Sequence, residues 1–157
     1  MTLAEQILAS AQKSQAIIAT AESCTGGMVS AAITDVPGSS AVFDRGFVTY
    51  TNAAKTDMLG VSTRTLESVG AVSEEVAREM AIGAIANSTA TLSVSITGIA
   101  GPGGSDHKPE GRVCFGLATR TDVHTETKDF GALGRDSVRK AARDHALNLL
   151  LRALSPE

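Results

Sequence analysis

Apolar residues recur at helical spacing at the start of the chain, where Leu3, Ile7, Leu8 and Ala11 predict a first helix. Residues 16–20 then read as a short buried strand, and residues 25–35 return to a helical pattern that ends before Pro37 and Gly38. Phe47, Val48 and Tyr50 mark a second strand. Asn52 is placed to cap a helix through Lys55, Met58 and Leu59 that Gly60 stops, and residues 63–69 suit a further short helix. Ser73, followed by Glu74 and Glu75, is a strong start for a long helix with Val76, Met80, Ala84 and Ile85 on one face. Residues 92–97 alternate Leu, Val and Ile with Ser and Thr, the period of a strand. A loop rich in Gly and Pro covers residues 98–111. Residues 113–118 and 125–130 form a predicted hairpin about Thr121 and Asp122, and a helix over 135–154 closes the chain.

Helices alternate with strands through the first two thirds and a hairpin comes late. That order predicts one α/β domain over residues 1–157, a layered α/β/α arrangement on a mixed, mostly parallel sheet. The pattern leaves strand order open. A chain of 157 residues buries roughly 70% of its unfolded surface, enough for a core without metal or disulfide staples.

Composition narrows the classes of function. Aromatic residues make up 3% of the chain and the net charge is −3, which disfavours stacking on single strands and attraction to phosphate backbones. Basic residues gather only at Arg135, Arg139, Lys140 and Arg143, with acids between them. No apolar run approaches the ~20 residues that span a bilayer, and no basic-then-apolar signal opens the chain. Cys24 and Cys114 make no disulfide framework. The expectation is a soluble cytoplasmic protein that binds neither nucleic acid nor membrane.

The densest chemistry lies in Ala21-Glu22-Ser23-Cys24-Thr25-Gly26-Gly27, where a buried strand turns into a helix. Free N–H groups at a helix start favour negative charge and suit an oxyanion hole, and paired glycines admit close approach of a ligand. The same residues also cap ordinary helices. A hydroxyl nucleophile needs a base. His107 lies in the Gly/Pro loop and stays possible. His124 sits at a strand edge, and His145 lies on the stripe Val138, Ala142, His145, Leu149, where packing is the commoner role. Lys55 qualifies if burial lowers its pKa, although most helix lysines are solvated. Tyr50, the only tyrosine, stands at a strand end where it could orient a proton. Cys24 is a rival nucleophile, since a thiol at a helix start is reactive, yet buried inert cysteine is more frequent. Thr97, Gly98, Ala100 and Gly101 open a loop after a strand, where α/β folds place ligands. It matches neither dinucleotide nor triphosphate fingerprints. Arg135 and Arg139, one turn apart, could clamp a phosphate or lie on the surface. No metal-ligand spacing occurs.

These blocks resemble the CinA C-terminal family, the nicotinamide-nucleotide amidohydrolases. Besides the Glu22-Ser23-Cys24-Thr25-Gly26-Gly27 block, the match includes Arg45-Gly46-Phe47-Val48-Thr49-Tyr50 with Asn52 and Lys55, then Leu59-Gly60-Val61 and Gly70-Ala71-Val72-Ser73. Thr97-Gly98-Ile99-Ala100-Gly101-Pro102, Lys108-Pro109, Arg135 and Arg139 continue it, so that the likeness runs from about residue 3 to 154 in family-like order. The resemblance implies deamidation of nicotinamide mononucleotide to nicotinate mononucleotide and ammonia, with no metal or cofactor and in a homo-oligomer. It implies Ser23 as nucleophile and Lys55 as base with Tyr50 in support. Substrate contacts would come from Cys24, Thr25, Gly26, Gly27, Arg45, Thr97, Gly98, Ala100, Gly101, Arg135 and Arg139, and N–H groups near residues 25–27 would hold the oxyanion.

The chain differs from many members in lacking a preceding molybdopterin-binding-like domain, and is expected to be a stand-alone form. Its Gly/Pro loop is about one residue shorter before Lys108, with Glu110 and Arg112 where an apolar and a small residue are expected. These departures bear on substrate contacts and leave the catalytic pair intact. Two other readings stand beside this one: a non-catalytic partner-binding domain linked to competence or DNA damage, and a hydrolase dependent on Cys24.

Overall fold

In chain order the elements are α1 (Leu3–Ser14), β1 (Ile18–Glu22), α2 (Met28–Thr34), β2 (Phe43–Val48), α3 (Asn52–Leu59), α4 (Thr63–Val69) and α5 (Glu74–Ala86). They continue with β3 (Leu92–Gly98), β4 (Arg112–Thr119), β5 (Val123–Asp129) and α6 (Arg135–Leu154). A single 3-10 turn, Ser39–Ala41, precedes β2. The structure is a computed structural model and describes residues 1–105 and 107–155.

The five strands form one mixed sheet in the order β2-β1-β3-β4-β5. β1 pairs parallel with β2 and β3, and β4 is antiparallel to both β3 and β5. Four strands therefore point one way and β4 alone runs against them. Helices α1, α2 and α6 cover one face, while α5, with α3 and α4 packed on it, covers the other. Two apolar clusters follow from this. Ile7, Ile18, Val29, Ile33, Val94, Ile96, Phe115, Val138 and Leu150 fill the first layer, and Ala19, Ala21, Leu59, Val61, Val76, Met80 and Ala84 fill the second. The alternation of β1 is visible in them, with Ile18 on one face and Ala19 and Ala21 on the other.

The polar half of β3 is as buried as its apolar half. Ser93, Ser95 and Thr97 are at most 1% exposed. Their hydroxyls donate to the backbone carbonyls of Ala81 (2.7 Å), Ala77 (2.6 Å) and Ala71 (2.9 Å) respectively. Short hydroxyl side chains thus fasten α5 close to the sheet and satisfy themselves on carbonyl oxygens that retain a second lone pair.

Several boundaries differ from those the sequence predicts, each for a local reason. α2 begins at Met28 rather than at residue 25, because Gly26 and Gly27 take φ of 57° and 105°, outside the right-handed helical region. Asn52 lies inside α3, and Thr51 caps that helix by accepting the Ala54 N–H at 3.1 Å. Ser73 caps α5 as expected, accepting the Val76 N–H.

After β1 the chain crosses to the face that carries α2, whereas after β2 it crosses to the face that carries α3. The loops at the carboxyl ends of these neighbouring strands diverge and open a crevice, the usual place for a ligand on such a sheet. Residues 23–27, 49–51, 99–105 and 107–111 all emerge there.

Candidate active site

Ser23 follows directly on β1, and its N–H donates to the Ile96 carbonyl of β3 at 2.9 Å. The strand pairing is thereby extended by one residue and fixes the serine beside the end of β3. Glu22, the last residue of β1, holds the other side of the turn. Its carboxylate is fully buried and accepts the N–H groups of Gly27 (3.2 Å), Val29 (3.0 Å) and Ser30 (3.0 Å), together with the Ser30 hydroxyl (2.9 Å). A buried carboxylate thus answers the free donors at the start of α2, where the positive end of the helix favours it. Nothing in the sequence reading separated Glu22 from its neighbours as such an anchor; a carboxylate one residue before a strand-to-helix turn is the signal for it.

Lys55 comes from α3 on the opposite face and is only 1% exposed. Its Nζ lies 3.0 Å from Ser23 Oγ, 3.0 Å from the Thr49 carbonyl and 3.2 Å from the Tyr50 carbonyl. No carboxylate pairs with it among the described residues. Burial pulls its pKa down from 10.5 to about 8, with the nearby Cys24 thiol acting weakly in the other direction. An ammonium has three N–H groups and could satisfy all three oxygens. A neutral amine has two, which the Thr49 and Tyr50 carbonyls can take, leaving the lone pair toward Ser23 Oγ. Serine and lysine are thus held in direct contact, with no histidine beside them among the described residues.

The other expected groups divide. The Tyr50 side chain is exposed and its hydroxyl accepts a hydrogen bond from Arg135 at 2.9 Å, so its backbone carbonyl, not its phenol, faces the Ser23–Lys55 pair. Arg135 also donates to the Gly101 carbonyl at 2.8 Å, joining the β2–α3 loop to the Gly/Pro loop. Thr97, Gly98, Ala100 and Gly101 line the pocket with Ser23, Cys24 and Lys55. Cys24 packs in the first apolar layer, and burial pushes its thiol up to about 11, so it stays protonated at neutral pH. That speaks against the thiol as nucleophile.

Three groups expected at the site lie elsewhere in the structure. Arg45 lies on the edge strand β2, where it pairs with Asp44 (3.1 Å) and donates to the Asn87 carbonyl (3.2 Å), away from the pocket. Arg139 lies outside the pocket lining, where it donates to the carbonyls of Cys24 (2.9 Å) and Thr25 (3.4 Å) and braces the turn that follows Ser23 from behind. The N–H groups of Gly26 and Gly27 are already engaged, by the Ser23 carbonyl and by Glu22, and Thr25 is fully buried, so residues 25–27 do not face the pocket. The N–H groups of Cys24, Ala100 and Gly101, which do line it, have no hydrogen-bond partner among the described residues.

The histidines stand aside. His145 packs on Phe115 and bonds Glu126 at 2.7 Å, His124 is on β5, and His107 is exposed and outside the pocket lining. Glu110, one of the departures in the loop, turns its carboxylate onto the Gly103 N–H and so ties the loop to itself. Among the described residues no group of three or more His, Cys, Asp or Glu side chains is placed to hold a metal ion.

The pocket encloses about 480 Å³, the size class that takes a small organic ligand. Lys55, Lys108 and Arg135 contribute positive charge to its wall, and no Asp or Glu among the described residues lines it. In a chain with 17 acidic and 14 basic residues, that bias is compatible with an anionic ligand.

The family model for the CinA C-terminal domain matches residues 1–154. The chain belongs to the CinA C-terminal domain family. Among its CinA relatives, the nicotinamide-nucleotide amidohydrolase PncC of Escherichia coli K12 is 50% identical over 151 residues, covering 96% of this chain and 92% of that protein. A CinA-like protein of Chlorobium phaeobacteroides is 52% identical over 143 residues, which cover 87% of this chain but 34% of that longer protein. The CinA fold is also that of the competence/damage inducible protein CihA from Agrobacterium tumefaciens, whose crystal structure superposes with a TM-score of 0.92 at 48% identity, over 97% of this chain and 93% of that one.

Proposed function

We propose that the chain hydrolyses the carboxamide of nicotinamide mononucleotide to nicotinate mononucleotide and ammonia, with Ser23 as nucleophile and Lys55 as general base. The observation that carries this reading is the 3.0 Å contact between a buried lysine amine and the Ser23 hydroxyl at the mouth of a cationic pocket. The name of the half-identical E. coli relative supports the substrate, and Lys108 and Arg135 in a pocket wall without carboxylates among the described residues support a phosphorylated form of it over the neutral amide.

Neutral Lys55 takes the proton of Ser23 as Oγ attacks the carboxamide carbon. In this mechanism the unpartnered N–H groups of Cys24, Ala100 and Gly101 hold the oxygen that becomes negative. A single donor of this kind is worth about 3 kcal/mol of barrier. The Lys55 ammonium then returns its proton to the departing nitrogen, which leaves as ammonia, and Ser23 remains acylated. Water attacks the ester and gives its proton to Lys55. Collapse releases the carboxylic acid as Ser23 recovers its proton from Lys55, and the acid ionises in solution to the carboxylate. Arg139 and Glu22 hold the turn that presents Ser23, and Arg135 fixes the loop bearing Ala100 and Gly101.

The direct test is ammonia release from nicotinamide mononucleotide by the wild type beside Ser23→Ala, without added metal. Turnover by the wild type alone is expected. Activity retained in Ser23→Ala would sink the mechanism, and a folded but inactive wild type would transfer weight to a partner-binding role.

A further inference from the structure

Lys108 lines the same pocket as Ser23 and Lys55 and belongs to neither the catalytic pair nor its supports. It is half-buried at the end of a tight turn, in which the Ser105 N–H donates to the Lys108 carbonyl (3.0 Å) and the Lys108 N–H donates to the Ser105 carbonyl (2.8 Å). Its Nζ donates to the carbonyls of Val69 and Val72, each at 2.6 Å. Two of three ammonium N–H groups are thereby fixed, and no side chain or carbonyl among the described residues takes the third. Backbone carbonyls orient the ammonium without neutralising it, so a full positive charge stands at the pocket wall. The N–H groups of Ala71 and Val72, beside it in the lining, are likewise without partners among the described residues. Glu110, the acidic residue of its own loop among the described residues, is turned onto Gly103 and does not line the pocket.

We infer that Lys108 binds the 5′-phosphate of the mononucleotide and is the residue that separates nucleotide from nucleoside. The inference rests on the proposed substrate. It replaces the expected pair of arginines: Arg139 is engaged behind Ser23, and the exposed Arg135 already bridges Tyr50 and Gly101. Of the three cations that line the wall among the described residues, Lys55 is set against Ser23 and Arg135 is exposed, so Lys108 is the half-buried one that faces the anion, and a stationary point charge is a common phosphate ligand.

The experiment measures kcat and KM for nicotinamide mononucleotide and for nicotinamide riboside, which lacks the phosphate, in the wild type, Lys108→Met and Lys108→Gln. Glutamine can still donate to the Val69 and Val72 carbonyls, which guards against loss of the loop tie. The expected result is a KM for the mononucleotide raised about tenfold or more, the effect of one lost charge-assisted hydrogen bond. The wild-type preference for mononucleotide over riboside should collapse by the same factor. Equal losses on both substrates, or the same collapse in Arg135→Ala but not in the Lys108 variants, would overturn the assignment. Binding of ribose 5-phosphate, followed by calorimetry, keeps this test separate from the reading of the reaction. Binding by the wild type that the Lys108 variants lose supports the phosphate site even if the mononucleotide is not hydrolysed. No binding by the wild type, or equal binding by the variants, overturns it.

Discussion

Lys55 can accept a proton from Ser23 only while it is neutral, so activity should follow its titration. Below its pKa of about 8 the folded protein carries the ammonium, and the competent fraction falls tenfold for each pH unit. That leaves about 9% competent enzyme at pH 7 and about 1% at pH 6, with a plateau above about pH 9. The same lysine at 10.5 would be about 300-fold less competent at neutral pH, and that factor is what burial on α3 contributes. The Cys24 thiol is held up to about 11 and does not titrate within this limb. The assay is ammonia release between pH 6 and 9.5 at low substrate, where the rate reports kcat/KM of the free enzyme. A single ascending limb centred near pH 8 is expected, and Lys55→Arg, which cannot deprotonate, should fall below about 1% of wild type throughout. A flat profile from pH 6 to 9, or an active arginine variant, would refute the role of Lys55 as base. Folding should follow the same sign. The depressed folded pKa means that the unfolded chain binds more protons between about pH 8 and 10.5, so Lys55 destabilises the fold below that window and the penalty lifts as pH rises through it.

Cys24→Ala should keep measurable turnover, reduced less than about tenfold, because only its backbone N–H is asked to act; complete loss, or rapid inactivation by a thiol reagent, would restore the cysteine mechanism. Glu22→Gln replaces a buried acceptor of three backbone N–H groups by an amide with one acceptor oxygen, and should cost about 1–3 kcal/mol of stability with a fall in kcat. Thermal unfolding with kinetics on the same sample checks this, and an unchanged melting temperature would remove Glu22 from the frame of the turn.

The order of helices and strands was legible because hydrophobic period and caps act locally. Ser73 opens α5 and Gly60 stops α3 for reasons contained within a few residues. The Ser23–Lys55 pair was legible at first only as two candidates, since each sits on its own local signal and the 3.0 Å between them is made by the parallel pairing of β1 and β2. What the sequence hid depends on which face a side chain meets. Arg45 and Arg139 are both cations in matching blocks, yet one ends on an edge strand and the other behind the nucleophile. Ser93, Ser95 and Thr97 have the alternation of a half-solvated strand, and only the close approach of α5 turns them inward. The paired glycines promised open N–H groups, but Glu22 and the Ser23 carbonyl reach them first.

A base that must be neutral sits uneasily with a substrate that carries a phosphate. Negative charge brought into the pocket favours the Lys55 ammonium and would push its pKa back up, lowering the competent fraction in the complex. The cations in the wall answer this, because a phosphate paired with Lys108 presents less net charge to Lys55 than a bare one. In the proposed mechanism the two lysines therefore have complementary tasks in one field. The pH profile of kcat, which reports the enzyme–substrate complex, should expose this. In Lys108→Gln the limb for nicotinamide mononucleotide should move to higher pH than in the wild type, while the limb for nicotinamide riboside stays in place. A shift of both limbs together would mean that Lys108 acts on Lys55 through the protein rather than through the phosphate. No shift with either substrate would mean that the phosphate lies too far from Lys55 for its charge to be felt.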